Sequence, residues 1–212
     1  MDLKDITVII CCAGMGTRLG IGTTKSLIDI NNKPLIYYQL ELLKDFEDVR
    51  IVVGFQAEEV IKVVNMYRKD VMYVFNYDYE KNGPAASLSR ALINTKQYVL
   101  IMDGDVLINK KDFYDFLNYP QECIAISDIN TDEPIKVRID SKDIVDFDGD
   151  GEYEWPGIAK ISSNKLVKRE DHIYEMLKVL LPIRYFKIRT RDIDTPDDYE
   201  KALKWINNNY NI

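Results

Sequence analysis

The stretch Ile6-Thr7-Val8-Ile9-Ile10-Cys11-Cys12-Ala13-Gly14-Met15-Gly16-Thr17-Arg18-Leu19-Gly20 decides how this chain folds. Residues 6–11 are apolar or β-branched, with none of the alternation of a half-exposed strand, and a short run of that kind is a strand buried on both faces. The glycines that follow let the chain turn sharply off the strand's carboxyl end, where several backbone N–H groups can point at one anion. Arg18 and, further along, Lys25 add two positive charges. Polyphosphate is the ligand class that this combination suits.

Two familiar phosphate loops fail on spacing. A dinucleotide fingerprint beginning Gly14-x-Gly16 needs a third glycine at 19, where the chain has Leu19, and a Walker-type loop needs glycine before its lysine, where Thr24 precedes Lys25 and Ser26. What the chain does carry is Gly14-x-Gly16-Thr17-Arg18, a lysine seven residues on, and then Lys33-Pro34-Leu35. This pattern resembles that of the nucleotidyltransferases that make nucleoside-diphosphate sugars and CDP-alcohols. The resemblance implies that Cys12, Ala13, Gly14, Met15, Gly16 and Thr17 wrap the nucleotide. Arg18 and Lys25 would then be the catalytic cations, Arg18 on the leaving pyrophosphate and Lys25 nearer the α-phosphate.

Composition narrows the class. Lys and Arg number 28 against 35 Asp and Glu, a net charge of −7 over 212 residues, mixed along the chain, so no nucleic-acid face is expected. No apolar run approaches a membrane span, and Met1-Asp2-Leu3-Lys4-Asp5 lacks the layout of a signal peptide, so a cytoplasmic protein is expected, monomeric or homodimeric. Cys11, Cys12 and Cys123 form neither a disulfide framework nor a zinc spacing and read as packing residues. His172, the one histidine, reads as a surface residue.

Strand-like runs at 6–11, 49–53, 71–75, 98–102 and 123–126 alternate with helical periodicity at 34–44, 57–69, 85–93 and 111–117. Such alternation predicts an α/β fold, a single domain over 1–212 built on a doubly wound, mainly parallel sheet with ligands at the carboxyl ends of its strands. After 126 come shorter extended pieces at 135–139, 144–147 and 157–161, read as a small β-rich acceptor-binding insertion. A helix at 170–181, a strand at 183–188 and a final helix capped by Thr195 with Pro196 in its first turn complete the chain. The nucleotide-binding part is thus about 1–126 and 183–212, and the acceptor lobe about 127–182. The resemblance implies a Rossmann-like, GT-A-like version of this fold.

Two acidic steps stand out. Tyr98-Val99-Leu100-Ile101-Met102 runs into Asp103-Gly104-Asp105, placing two carboxylates at a strand's carboxyl end, and hard oxygen ligands there suit Mg²⁺ shared with substrate phosphates. The family resemblance makes Asp105 the metal ligand and Asp103, on the nucleotide side, a carboxylate that stands behind it or holds a second metal. Asp192-Ile193-Asp194 precedes the last helix, with both carboxylates on one side of an extended segment. By the same resemblance Asp194 is the second metal ligand, with Asp192 next to it facing the acceptor. Asp146-Phe147-Asp148-Gly149-Asp150-Gly151 mimics half of a calcium loop but has Gly157 where a bidentate glutamate is needed, and reads as a hairpin turn.

Asn82-Gly83-Pro84-Ala85-Ala86-Ser87-Leu88 is similar to the family segment that receives the nucleobase, which makes Gly83 and Ser87 candidate base contacts, followed by Asn82 and Asn76. Read from its residues alone, it is equally a helix start with Pro84 in the first turn and alanines for packing. It departs from the glutamines and Gly-Thr-Ala step of sugar-nucleotide enzymes and is closer to the phosphocholine cytidylyltransferase-like branch. Trp155 with Tyr153 is either an aromatic wall for a cationic amine or core, and Lys136 is a candidate for the acceptor phosphate. The resemblance therefore implies Mg²⁺-dependent transfer of CMP from CTP to a small phosphorylated acceptor in cell-surface polysaccharide or lipid decoration. The alternatives are a sugar-1-phosphate nucleotidyltransferase using UTP, dTTP or CTP, and a nucleotide-binding regulator without catalysis.

Overall fold

The computed structural model describes residues 2–16, 20, 22–147 and 149–209, apart from the side chain of Asn208. Thr17, Arg18 and Asp148, singled out from the sequence, lie outside the described residues. The first part holds β1 (Ile6–Cys12), β2 (Asp29–Ile30), β3 (Lys33–Pro34), α1 (Leu35–Leu42), β4 (Asp48–Val53) and α2 (Ala57–Tyr67). Next come β5 (Met72–Phe75), α3 (Pro84–Ala91), β6 (Tyr98–Asp103), β7 (Val106–Ile108), α4 (Lys110–Asn118) and β8 (Cys123–Asp128). The chain continues through β9 (Lys136–Asp140), β10 (Asp143–Phe147), β11 (Tyr153–Glu154), β12 (Ile158–Ser162) and α5 (Ile173–Lys178). It closes with β13 (Ile183–Lys187), β14 (Thr190–Asp192) and α6 (Pro196–Asn209).

The main sheet has the order β11-β9-β10-β13-β8-β12-β6-β1-β4-β5. From β6 through β1 and β4 to β5 all pairings are parallel, as the alternating pattern predicts. Beyond β6 the sheet is mixed, because β12 enters antiparallel between β6 and β8. Residues that the sequence assigns to the insertion thus join the central sheet: β12 lies inside it, and β9, β10 and β11 continue from β13, with β11 returning to pair antiparallel with β8. The predicted helix at 170–181 is shortened to Ile173–Lys178. Its first residues run against α3 instead, with the carbonyls of Glu170 and Asp171 accepting from the N–H groups of Gly83 and Ala85.

The continuous apolar pattern of β1 is explained by packing on both sides. Val8, Ile10 and Cys12 face one core with α1, α2 and α4, while Ile9 and Ala13 face another with α3 and α5. Burial of these chains is the main stabilising term. Three buried cations close helix carboxyl ends, where unpaired carbonyls carry partial negative charge. Arg68 donates to the carbonyls of Leu43 and Phe46 behind α1, and Arg50 to those of Ala91 at 2.8 Å and Asn94 at 2.9 Å behind α3. Lys160, fully buried, donates to Phe116, Leu117 and Tyr119 behind α4 at 3.3, 3.1 and 2.5 Å. Among the described residues no helix is long and apolar enough to cross a membrane.

Candidate active site

At the carboxyl end of β1, a cavity of about 270 Å³ opens among Cys12, Gly14, Gly16, Lys25, Gly104 and Asp105. Gly16 has φ +60, and a Cβ there would lie 2.9 Å from Lys25 Cγ, so the turn needs glycine both for its backbone and for the lysine packed on it. The segment leading to Lys25 is held by Gln56, whose amide oxygen accepts from Thr23 Oγ1 and Thr24 N, each at 3.0 Å. Its amide nitrogen donates to Gly22 O at 3.1 Å.

Lys25 Nζ donates to Asp105 Oδ2 at 2.8 Å and also to Asp194 Oδ1, joining the loop to both acidic steps. The first step reaches this point through close packing on β1. Gly104 N donates to Cys11 O at 3.0 Å, and a Cβ on Gly104 would sit 2.6 Å from Cys12 Sγ. Gln39, on α1, holds the turn by donating to the carbonyls of Asp103 at 2.7 Å and Val106 at 2.9 Å. Gly157 closes it from β12's side, with φ +76 and its carbonyl accepting from Asp103 N at 3.1 Å.

The second step is delivered by β14, which pairs antiparallel with β7 and sets Asp192 opposite Val106. Asp192 N donates to Asn130 Oδ1, and Asn130 in turn donates from N and Nδ2 to Glu154 Oε1 at 3.1 and 2.5 Å. Thr195 caps α6 as expected, and does so reciprocally: Asp198 N donates to Thr195 Oγ1, while Thr195 N and Oγ1 donate to Asp198 Oδ2. Asp194 is thereby left to face Lys25.

Burial alone would push the Lys25 ammonium down, but Asp105 and Asp194 outweigh it and hold its pKa above the ordinary lysine value. Burial, reinforced by Asp105, pushes both Asp103 and Asp192 well above the usual carboxylate range. Asp192 Oδ1 is buried without a hydrogen-bond partner among the described residues. Among the described residues no group of three His, Cys, Asp or Glu side chains converges as metal ligands. Asp105 and Asp194, brought together on Lys25, are hard oxygen donors of the kind that a divalent cation completed by phosphate would use. Cys12 packs in the core and also lines the first cavity, its thiol pushed up to about 12 by burial.

A second cavity of about 360 Å³ adjoins the first, lined by Ala13, Gly14, Tyr79, Asn82, Gly83, Ser87, Asp103 and Asp105. Gly83 sits in its wall for a packing reason. Its N–H donates to Glu170 O at 2.8 Å, its carbonyl accepts from Ala86 N, and a Cβ would lie 2.0 Å from Asp171 O. Ser87 and the buried Asn76 are joined, Asn76 Nδ2 donating to Ser87 Oγ at 2.9 Å. Met15 lies on the loop and is partly exposed.

The acceptor candidates Trp155 and Lys136 line neither cavity. Trp155 is buried against Phe147, with its Nε1 donating to Ile158 O at 3.1 Å, so its ring is core. Tyr153 does carry a cation on its face, the Lys187 ammonium at 4.7 Å from the ring centre. Lys136, on β9, donates to Gly149 O at 3.1 Å across the hairpin. Gln39, Gln56 and Asn130 have no local signature in the sequence, because each acts on residues far along the chain.

Residues 8–130 match the family model of the MobA-like NTP transferase domain. The bifunctional protein GlmU of Sulfurovum sp. (strain NBC37-1) is 28% identical over 132 residues, 61% of this chain and 30% of that protein. Choline-phosphate cytidylyltransferase of Streptococcus pneumoniae is 42% identical over 76 residues, 34% of this chain and 32% of that one. The chain thus spans about a third or less of the length of the curated relatives it matches. Among solved structures, the inositol-1-phosphate CTP transferase from T. maritima superposes with a TM-score of 0.76 at 20% identity, covering 97% of each chain. The CTP:phosphocholine cytidylyltransferase of S. pneumoniae gives 0.74 at 26% identity, covering 95% of this chain and 99% of that one. These superpositions agree with the α/β fold described above, and the family match covers more than half of the chain from β1 onward; this protein belongs to the MobA-like NTP transferase domain family.

Proposed function

We propose that this protein transfers a nucleoside monophosphate, CMP in preference to others, from its triphosphate to a small phosphorylated acceptor and releases pyrophosphate. The observation that carries the reading is Lys25, held between Asp105 and Asp194 at the mouth of the glycine turn. An oxygen of the acceptor phosphate attacks the α-phosphorus, a P–O–P bond forms, and the bond to the β-phosphate breaks with its electron pair leaving on pyrophosphate. A phosphate monoester has a second pKa of about 6 and is already largely dianionic at neutral pH, so no general base is required. The obstacle is repulsion between anions, and the residues meet it by charge and position.

Lys25 would neutralise charge nearer the α-phosphate, and the amides of Gly14 and Gly16, with Arg18, would hold the β- and γ-phosphates and the leaving group. Asp105 and Asp194 would hold Mg²⁺, which when bound supplies charge neutralisation and Lewis acidity at the phosphates. Asp103 and Asp192 would stand behind them, and the second cavity, with Ser87 and Asn82 in its wall, would take the nucleoside. The preference for CTP is supported by the likeness to the S. pneumoniae CTP:phosphocholine cytidylyltransferase, at 26% identity across 95% of this chain. The test is pyrophosphate release across a matrix of CTP, UTP, dTTP, ATP and GTP against phosphorylated amines, alcohols and sugar 1-phosphates. Release with CTP and a phosphorylated acceptor supports the reading; no release in any cell of the matrix refutes it.

A further inference from the structure

A hydrogen-bond chain whose direction is fixed ends on Ser87, in the wall of the second cavity. Asn76 is 1% exposed, and its Oδ1 accepts from Arg90 Nε at 3.0 Å and from Asp78 N at 3.2 Å. A guanidinium and a backbone N–H can only donate, so the amide oxygen must face them and the amide nitrogen must face Ser87. Asn76 Nδ2 then donates to Ser87 Oγ at 2.9 Å, and Ser87, 5% exposed, is obliged to accept. Among the described residues the Ser87 hydroxyl proton meets no acceptor, and the side chain lines the cavity. Arg90 is itself held by Asp78 Oδ2 at 3.0 Å, so the chain is anchored at the surface and ends at the cavity.

We propose that Arg90 and Asn76 set the polarity of Ser87, so that its hydroxyl donates into the cavity and selects a nucleobase whose edge offers an acceptor there. This rests on the reading of that cavity as the nucleoside site. Cytosine presents a bare N3 on its pairing edge, where uracil and thymine carry N3–H. A donating serine satisfies the first and opposes the second. A buried donor set against another donor leaves both groups unpaired, and sites built around such hydrogen bonds discriminate strongly. Arg90 and Asn76 are positioning residues in this scheme, and Ser87 makes the contact.

The experiment measures kcat/KM for CTP and UTP in the full chain, alongside calorimetric binding of the two nucleotides without acceptor. Asn76→Asp keeps the shape and still accepts from Arg90 and from the Asp78 N–H. Its second oxygen also accepts, so Ser87 must spend its proton on it and turn a lone pair to the cavity. The expected result is a CTP-preferring wild type and at least a tenfold fall in the CTP:UTP ratio in Asn76→Asp. Arg90→Met, which frees the amide to rotate, should lower the ratio by a smaller factor. Should Asn76→Asp fail to fold, Ser87→Ala removes the donor without adding charge and should bring the ratio toward unity. A folded Asn76→Asp or Ser87→Ala variant with a ratio within twofold of wild type overturns the proposal, as does a wild type that prefers UTP. Should wild type turn over no nucleotide, the proposed reaction fails, and the calorimetric CTP:UTP ratio decides on Ser87 by the same thresholds.

Discussion

Replacing Lys25 by methionine probes the ion pairing on which the site is built. The lysine side chain is 12% exposed and lies between Asp105, 29% exposed, and Asp194, 13% exposed. Methionine keeps most of the apolar stem and removes the ammonium, leaving the two carboxylates with Asp103 and Asp192 close by. Breaking a buried ion pair by deleting one partner costs about 3–5 kcal/mol, and the partial exposure of Asp105 brings the expected cost down to about 2–3 kcal/mol. In a chain of this size each kcal/mol moves the melting temperature by about 2–4 °C, so Lys25→Met should melt about 4–12 °C below wild type in EDTA. A divalent cation should replace the missing charge. Differential scanning fluorimetry at constant ionic strength should therefore show Mg²⁺ raising the variant's melting temperature more than that of wild type, while turnover falls about 100-fold or more. A variant that melts with wild type in EDTA, or equal stabilisation of both by Mg²⁺, would refute this view of Lys25.

Two further substitutions separate parts of the framework. Gly157→Ala places a Cβ 2.2 Å from Asp103 Oδ2 at a residue with φ +76, and the backbone alone costs about 1–2 kcal/mol. Turnover should fall at least tenfold as Asp103 is displaced, while Gly149→Ala, whose Cβ would meet nothing within 4 Å, should match wild type in the same assay. Burial holds the Lys160 ammonium below its ordinary value of 10.5, so between its folded value and 10.5 the unfolded chain binds more protons than the folded one. Stability contributed by this group therefore rises with pH across that window. Urea unfolding of wild type should show a rise relative to Lys160→Met as pH climbs toward 10.5, and parallel curves would contradict it.

The central strand and the last helix start were legible because their signals are local. The apolar run at 6–11 and the cap at Thr195 are each set by neighbours along the chain, and the structure shows both as the sequence predicts. Asp105 and Asp194 could be named from the sequence, but their meeting on Lys25 is a contact across 80 and 169 residues. Glycine at 83 was visible, yet its reason was not, since it is the 170–171 segment folding back that fills the space beside it. Trp155 could read as wall or core because an aromatic near a sheet return fits both, and only the packing of Phe147 decides. The strand at 190–192 is too short for any periodicity and is defined by its pairing with 106–108.

The most direct measurement of the central claim is acceptor-dependent pyrophosphate release from CTP by the full chain, with Mg²⁺ and then with EDTA. Release that requires both a phosphorylated acceptor and Mg²⁺, and that falls about 100-fold or more in both Asp105→Ala and Lys25→Met, is the expected result. Pyrophosphate release by wild type that is matched by both variants, or no release from any triphosphate with any phosphorylated acceptor, would contradict it.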